Sequence, residues 1–121
     1  MSTLVIEIND NSLRAGDASG MLADSPGFAL LDGQVVVGAE ARAQSRLQPG
    51  RVYNHFWGDL SLESLPGKAS GAQTTADLAF HHLHRVWTEL PSKADRVVFA
   101  TPGSYTREQL SLLLGIARES N

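Results

Sequence analysis

No cysteine occurs among the 121 residues, which excludes a disulfide framework and any thiolate chemistry. The N-terminal stretch lacks the basic-then-apolar layout of a secretory signal. Unbroken apolar runs last only a few residues, against the roughly 20 that a membrane-spanning helix needs. The cytoplasm is therefore the expected location, with no membrane partner. Positive charge is also scarce. Ten Lys and Arg face 13 Asp and Glu, a net charge of −3, so the chain has no basic footprint for nucleic acid. What remains suits a soluble globular chain, with 42% hydrophobic and 19% charged residues. At this length it is one domain or part of one.

The apolar pattern predicts the elements in turn. Thr3 to Ile8 alternates as a strand, with Leu4, Ile6 and Ile8 on one face. Asn9-Asp10-Asn11 is a turn cluster, since these side chains bond their own main chain. Ser12 to Gly16 returns as a second strand, and Asp17 to Gly27 reads as a loop rich in Asp, Ser, Gly and Pro. Phe28 to Leu31 is a third strand, joined through Asp32-Gly33 to a short return over Val35 to Val37. Gly38 to Arg46 is a short helix stopped by Pro49-Gly50. Arg51 to Gly71 has no clear period, although Tyr53, Phe56 and Trp57 suggest a packed loop.

Gln73 to Leu90 is the clearest helix, with Ala76, Ala79, Phe80, Leu83, Val86, Trp87 and Leu90 on one face and Pro91 behind it. Arg96 to Thr101 is almost wholly apolar, the pattern of a strand in a sheet covered by helices. Thr106 with Gln109 is a capping-box pair that opens a last helix to Arg118. A meander followed by a helical crossover into an apolar strand implies an α/β fold. Its sheet is mixed, a three-stranded antiparallel meander plus one parallel strand, with helices attached. The crossover rule places the first strand between the second and the Arg96–Thr101 strand, the last pair parallel.

Three segments carry a resemblance to a known family. Ser25-Pro26-Gly27-Phe28-Ala29-Leu30-Leu31 is similar to the third strand of DnaK-type heat-shock chaperones. Gly38-Ala39-Glu40-Ala41 resembles the helix start that follows it there. Phe99-Ala100-Thr101-Pro102-Gly103-Ser104-Tyr105, running into a helix, is similar to their V-T-V-P-A-Y-F segment. The resemblance implies the N-terminal subdomain of an actin-like ATPase, a ribonuclease H-like fold, over residues 1–121. It also implies a downstream lobe that this chain lacks, so that the rest of its own chain is the expected partner. In the family, ATP and magnesium lie against a first hairpin of pattern I-D-L-G-T-T. Here the equivalent residues are Ile6-Glu7-Ile8-Asn9-Asp10-Asn11, so Glu7, Asn9, Asp10 and Asn11 are the candidate cofactor-binding set. Asn9 stands where a glycine lets phosphates approach the main chain. Asp10 adds a negative charge that repels a phosphate about 4 Å away by roughly 1 to 4 kcal/mol. The turn therefore reads as degraded. The expectation is no ATP binding by this chain alone, with an active Mg-ATP ATPase or chaperone at full length as the alternative. Lys68 is the only guess for the family's phosphate-facing lysine.

His81, His82 and His84 read as a solvated polar face; a metal site is the alternative, and no carboxylate lies one helical turn away. Glu7 invites a two-metal ribonuclease H-like nuclease, but the central strand, ending Ala100-Thr101-Pro102, supplies no second carboxylate. Asp95 sits at the wrong end. Ser104 reads as a helix cap and not a nucleophile, and Gly33, Gly38 and Gly103 as turn glycines. On the last helix Leu110, Leu113, Leu114 and Ala117 make a core stripe. Leu112 and Ile116 widen it, so this pair is expected at a bare edge where a second copy could associate.

Overall fold

The computed structural model describes residues 3–9, 11–32, 34–48, 51–62, 64–69, 72–90 and 95–120, with backbone alone at 32, 64–69, 72–73 and 120. Asp10, Gly33, Pro49-Gly50, Gly71 and Pro91, all singled out above, lie outside those residues.

Alternation in Thr3–Ile8 makes β1, whose even positions Leu4, Ile6 and Ile8 are buried. It pairs antiparallel with β2, Ser12–Asp17, and parallel with β9, Arg96–Ala100. The first strand thus lies between the second and the late apolar strand, as the crossover rule requires. The meander is completed by β3, Gly20–Pro26, giving a four-stranded mixed sheet in the order β3-β2-β1-β9.

This last strand corrects the sequence reading, which made Asp17 to Gly27 a loop. An edge strand needs hydrogen bonds along one side only, so Gly, Asp, Ser and a terminal Pro are tolerated there. Gly20, at φ 128°, turns the chain, and Asp17 accepts from the Ser19 amide and hydroxyl. The segment expected as the third strand does not join this sheet. The main chain bends at Pro26–Phe28, and β4, Ala29–Asp32, pairs instead with β5, Gln34–Val37, and with β6, Val52–Tyr53. The segment from Ser25 to Leu31 that carried part of the family resemblance therefore straddles two sheets. From the stretch that showed no period, β7, Ser64–Ala69, pairs with β8, Ala72–Thr74, so the helix expected from Gln73 begins only at Thr75.

Three helices follow the predicted order: α1, Ala39–Gln44; α2, Thr75–Glu89; and α3, Arg107–Ser120. Thr74 opens α2 with a full capping box, its hydroxyl accepting from the Asp77 amide and the Asp77 carboxylate from the Thr74 amide. Thr74→Ala should cost about 1 kcal/mol, read as a lower urea midpoint with an unchanged slope. A wild-type midpoint would remove the cap from the account of this helix.

Helices α2 and α3 pack together on the inner sheet face, where Leu83, Val86, Leu113 and Ile116 meet Leu4, Ile6 and Ile8 in one core. The opposite face is open. Val5 and Val98 are 43% and 38% exposed, so β9 alternates in burial rather than being covered on both sides. The last helix is also rotated relative to expectation. Ile116 is only 7% exposed and Leu112 is half-buried, while Leu110 and Leu114 are 41% and 55% exposed. Leu112 is partly exposed as expected, but Ile116 is buried against expectation, and charging it would cut into the core. The rotation is set at the N-terminus of α3. Thr106 and Gln109 exchange the predicted capping-box bonds, Gln109 Nε2 donates to the Gly58 carbonyl, and the Tyr105 hydroxyl donates to the Trp57 carbonyl. Thr106, and not Ser104, is the cap.

Candidate functional site

Of the predicted cofactor set, Glu7, Asn9 and Asn11 lie at the end of β1, where the chain turns back into β2. Glu7 is the last outward-facing residue of β1, opposite Arg14 on β2 and Ala100 on β9. Asn9 and Asn11 stand in the turn; Asp10 is outside the described residues. The turn is closed by the Asn9 side chain. Its Oδ1 accepts from the Asn11 amide at 2.9 Å, the Ser12 amide at 2.9 Å and the Ser12 hydroxyl at 3.2 Å. Its Nδ2 donates to Glu7 Oε1 at 3.3 Å, which fixes which end of the amide points inward.

Beside the turn lies a polar cleft of about 700 Å³, lined by Asn9, Asn11, Ser12, Arg14, Asp24 and Arg42 among others. Arg14 lies 3.9 Å from Glu7 and 3.4 Å from Asp24, so its charge is shared between two carboxylates. Arg42, from α1, has no ion pair among the described residues. Neither Arg42 nor Ser12 was legible as a site residue. Arg42 is one arginine of several on a short helix, and its approach to the turn depends on how β4 and β5 carry α1 back. Ser12 reads as an ordinary strand start.

The Asn11 and Ser12 amides are engaged by Asn9, and Glu7 Oε1 is engaged by Asn9 and Arg14. Among the described residues no group of three or more His, Asp or Glu side chains is placed to hold a metal ion. For Lys68 only the backbone, within β7, is described.

A second polar cluster lies inside the molecule and corrects the reading of His82, whereas His84 is exposed and His81 half-buried. His82 is fully buried, whereas a solvated face was expected. Trp57 Nε1–H donates to His82 Nδ1 at 2.8 Å, so that nitrogen carries no proton. The neutral ring therefore holds its proton on Nε2, 2.8 Å from Ser25 Oγ, and donates to it. Burial holds the ring neutral, depressing its pKa to about 4. The triad joins α2, the Trp57 loop and the end of β3. Its third partner also explains one glycine: a Cβ on Gly38, at φ 77°, would lie 2.8 Å from Ser25 Oγ. Ser25 pairs with Leu13 across β2, and Pro26 with Ser12. The triad thus braces the strand that backs the Asn9 turn.

No helix among the described residues is long and apolar enough to cross a membrane. No protein-family model and no curated protein sequence matches the chain. Solved structures do. MreB5 of Spiroplasma citri bound to ADP superposes with a TM-score of 0.69 at 13% identity, over 99% of this chain and 35% of that one. The same protein bound to AMPPNP gives 0.67 at 12% identity, over 99% and 36%. A non-polymerising MamK mutant bound to AMPPNP gives 0.67 at 15% identity, over 98% and 38%. The chain spans little more than a third of the length of these structures, and over that span it has the fold of the actin-like ATPases.

Proposed function

We propose that this chain is the N-terminal part of a longer cytoplasmic actin-like protein and that its phosphate-facing turn is degenerate. In this reading residues 1–121 supply one wall of a cleft whose other wall lies in the rest of the protein, its principal partner. The chain alone neither binds nor hydrolyses ATP. The observation that carries the reading is the Asn9 carboxamide, which takes up the Asn11 and Ser12 amides at the turn where an actin-like fold presents main chain to phosphates. Calorimetric titration of the chain with Mg-ATP should show no saturable heat up to about millimolar ligand, a weak-binding limit near −4 kcal/mol. A micromolar dissociation constant would overturn the reading.

Within the actin-like proteins, a DnaK-type heat-shock chaperone is the finer assignment. The strand, Pro102-Gly103 turn and helix over Phe99 to Tyr105 and beyond, and the helix start at Gly38 to Ala41, favour it. An active Mg-ATP ATPase at full length is the second reading. It is favoured by Arg42, a cation left beside the turn. Nucleotide hydrolysis by the full-length protein decides between an active and a degenerate site.

A further inference from the structure

The two outer strands of the four-stranded sheet are built differently. At one edge β3 carries Asp24 and a terminal Pro26, and its pairing with β2 is interrupted by a bulge between Ala15 and Gly16. Such devices keep a bare edge from recruiting another strand. At the other edge β9 pairs with β1 alone among the described residues. It has no proline, glycine or bulge, so every second N–H and C=O is presented outward in a regular row. A pocket of about 200 Å³ lies beneath this strand. Trp87 of α2, Val97 and Phe99 of β9, and Leu114, Ala117 and Arg118 of α3 are on its walls. Leu114 and Arg118 are exposed and mark its mouth. Arg118 is in no ion pair among the described residues.

We propose that the free edge of β9 docks an extended segment of a partner protein, one that offers an aliphatic side chain to the pocket and a carboxylate to Arg118. An added strand lies about 4.8 Å beyond β9. Its alternate side chains point to the same inner face as Val97 and Phe99, and one of them reaches the pocket. Main-chain bonds along the edge hold any extended segment, while the pocket and the arginine select its sequence. A second copy of this chain is a poorer occupant. Its own Val97 and Phe99 are already packed against its core, so pairing β9 with β9 leaves both pockets empty. The site shares no residue with the polar cleft beside the β1–β2 turn, and it stands whether or not that turn binds phosphate.

Trp87, half-buried on the pocket wall, is a built-in reporter, and the other tryptophan, Trp57, is completely buried and gives a constant background. The probes are two short capped peptides, Asp-Thr-Leu-Thr-Leu and its reverse Leu-Thr-Leu-Thr-Asp, titrated into the chain and followed by tryptophan emission. One of them should give a saturable change below about millimolar ligand, and its order gives the strand direction. Changing its Leu residues to Ala should weaken binding about tenfold or more, as for an apolar side chain lost from a pocket. Changing its Asp to Lys should weaken it about threefold, and Arg118→Glu should reverse that preference. Ala117→Leu, which fills the pocket, should weaken binding about tenfold. Leu114→Glu, at an exposed position, should do the same and stands in if the filled pocket prevents folding. Methylating the peptide's main-chain nitrogens at the Leu residues, or instead at the Thr residues, removes the donors on one side of the strand at a time. One pattern should abolish binding and the other spare it. Equal binding of both would reduce the edge to an apolar groove and overturn strand addition. Silence of both unmethylated peptides up to about millimolar ligand also overturns it. So does a wild-type dimer in light scattering that Leu114→Glu dissociates, because a second copy then holds the edge.

Discussion

Acidification from pH 7 to pH 4 should remove roughly 3 kcal/mol of stability through His82 alone, from the 5–15 kcal/mol typical of a domain. The ring is neutral in the fold, with its pKa lowered to about 4 against 6.5 when exposed. Above pH 6.5 both folded and unfolded chains hold it neutral, so its full contribution is present. Between 6.5 and 4 the unfolded chain takes up a proton that the folded chain refuses, and stability falls with each step. Below 4 the loss levels off. The groups that touch the ring, Ser25, Phe56 and Trp57, carry no charge that could stabilise the cation. Carboxylates also titrate in this range, so the comparison is with His82→Gln. That variant is weaker at neutral pH but lacks the proton uptake. Urea unfolding at half-unit pH intervals should show wild type losing about 3 kcal/mol more than the variant. Parallel pH curves would show that the ring is not held neutral.

The contrast between His82 and its neighbours shows where the sequence was legible and where it was not. Elements governed by local pattern were readable: the alternation of β1, the capping box of Thr106, and the parallel β1–β9 pair implied by the crossover. What failed depended on partners distant along the chain. His82 lies on the buried face of α2 because an indole donor 25 residues away and a serine 57 residues away satisfy its two nitrogens. Without them a buried imidazole would cost several kcal/mol, so the polar reading was the natural one from helix pattern alone. The same holds for β3, whose poor strand composition is tolerated at a sheet edge. It holds too for α3, whose rotation is set by bonds from Tyr105 and Gln109 to the main chain at Trp57 and Gly58. At the candidate site, Asn9 was legible as a turn residue. That Asn9 itself takes up the turn's amides was not, because a composition of Asn and Asp fixes the turn without saying which donors converge.

Trp57→Ala should be the most damaging single substitution, at about 3–5 kcal/mol. The indole is completely buried in the main core, 6.0 Å from the Phe56 ring and 6.1 Å from His82 between ring centres. Removing it leaves a large cavity and takes away the donor to His82 Nδ1. Trp57→Phe separates the two costs. It restores most of the volume but not the N–H, so it should cost about 1–3 kcal/mol, the penalty of leaving one buried acceptor unmet. Its acid sensitivity should also fall. Nδ1 without its donor is free to take a proton, which raises the folded-state pKa toward 6.5 and narrows the pH window of the loss. Equilibrium unfolding of wild type, Trp57→Phe and Trp57→Ala at pH 7 and pH 5 tests both points. If Trp57→Phe matches wild type at both pH values, the indole acts by bulk alone and the hydrogen bond to His82 contributes nothing. If it falls as far as Trp57→Ala, the bond and not the packing dominates. The expected order, wild type above Trp57→Phe above Trp57→Ala with a smaller pH effect in Trp57→Phe, requires that the core and its buried histidine be stabilised together by one side chain.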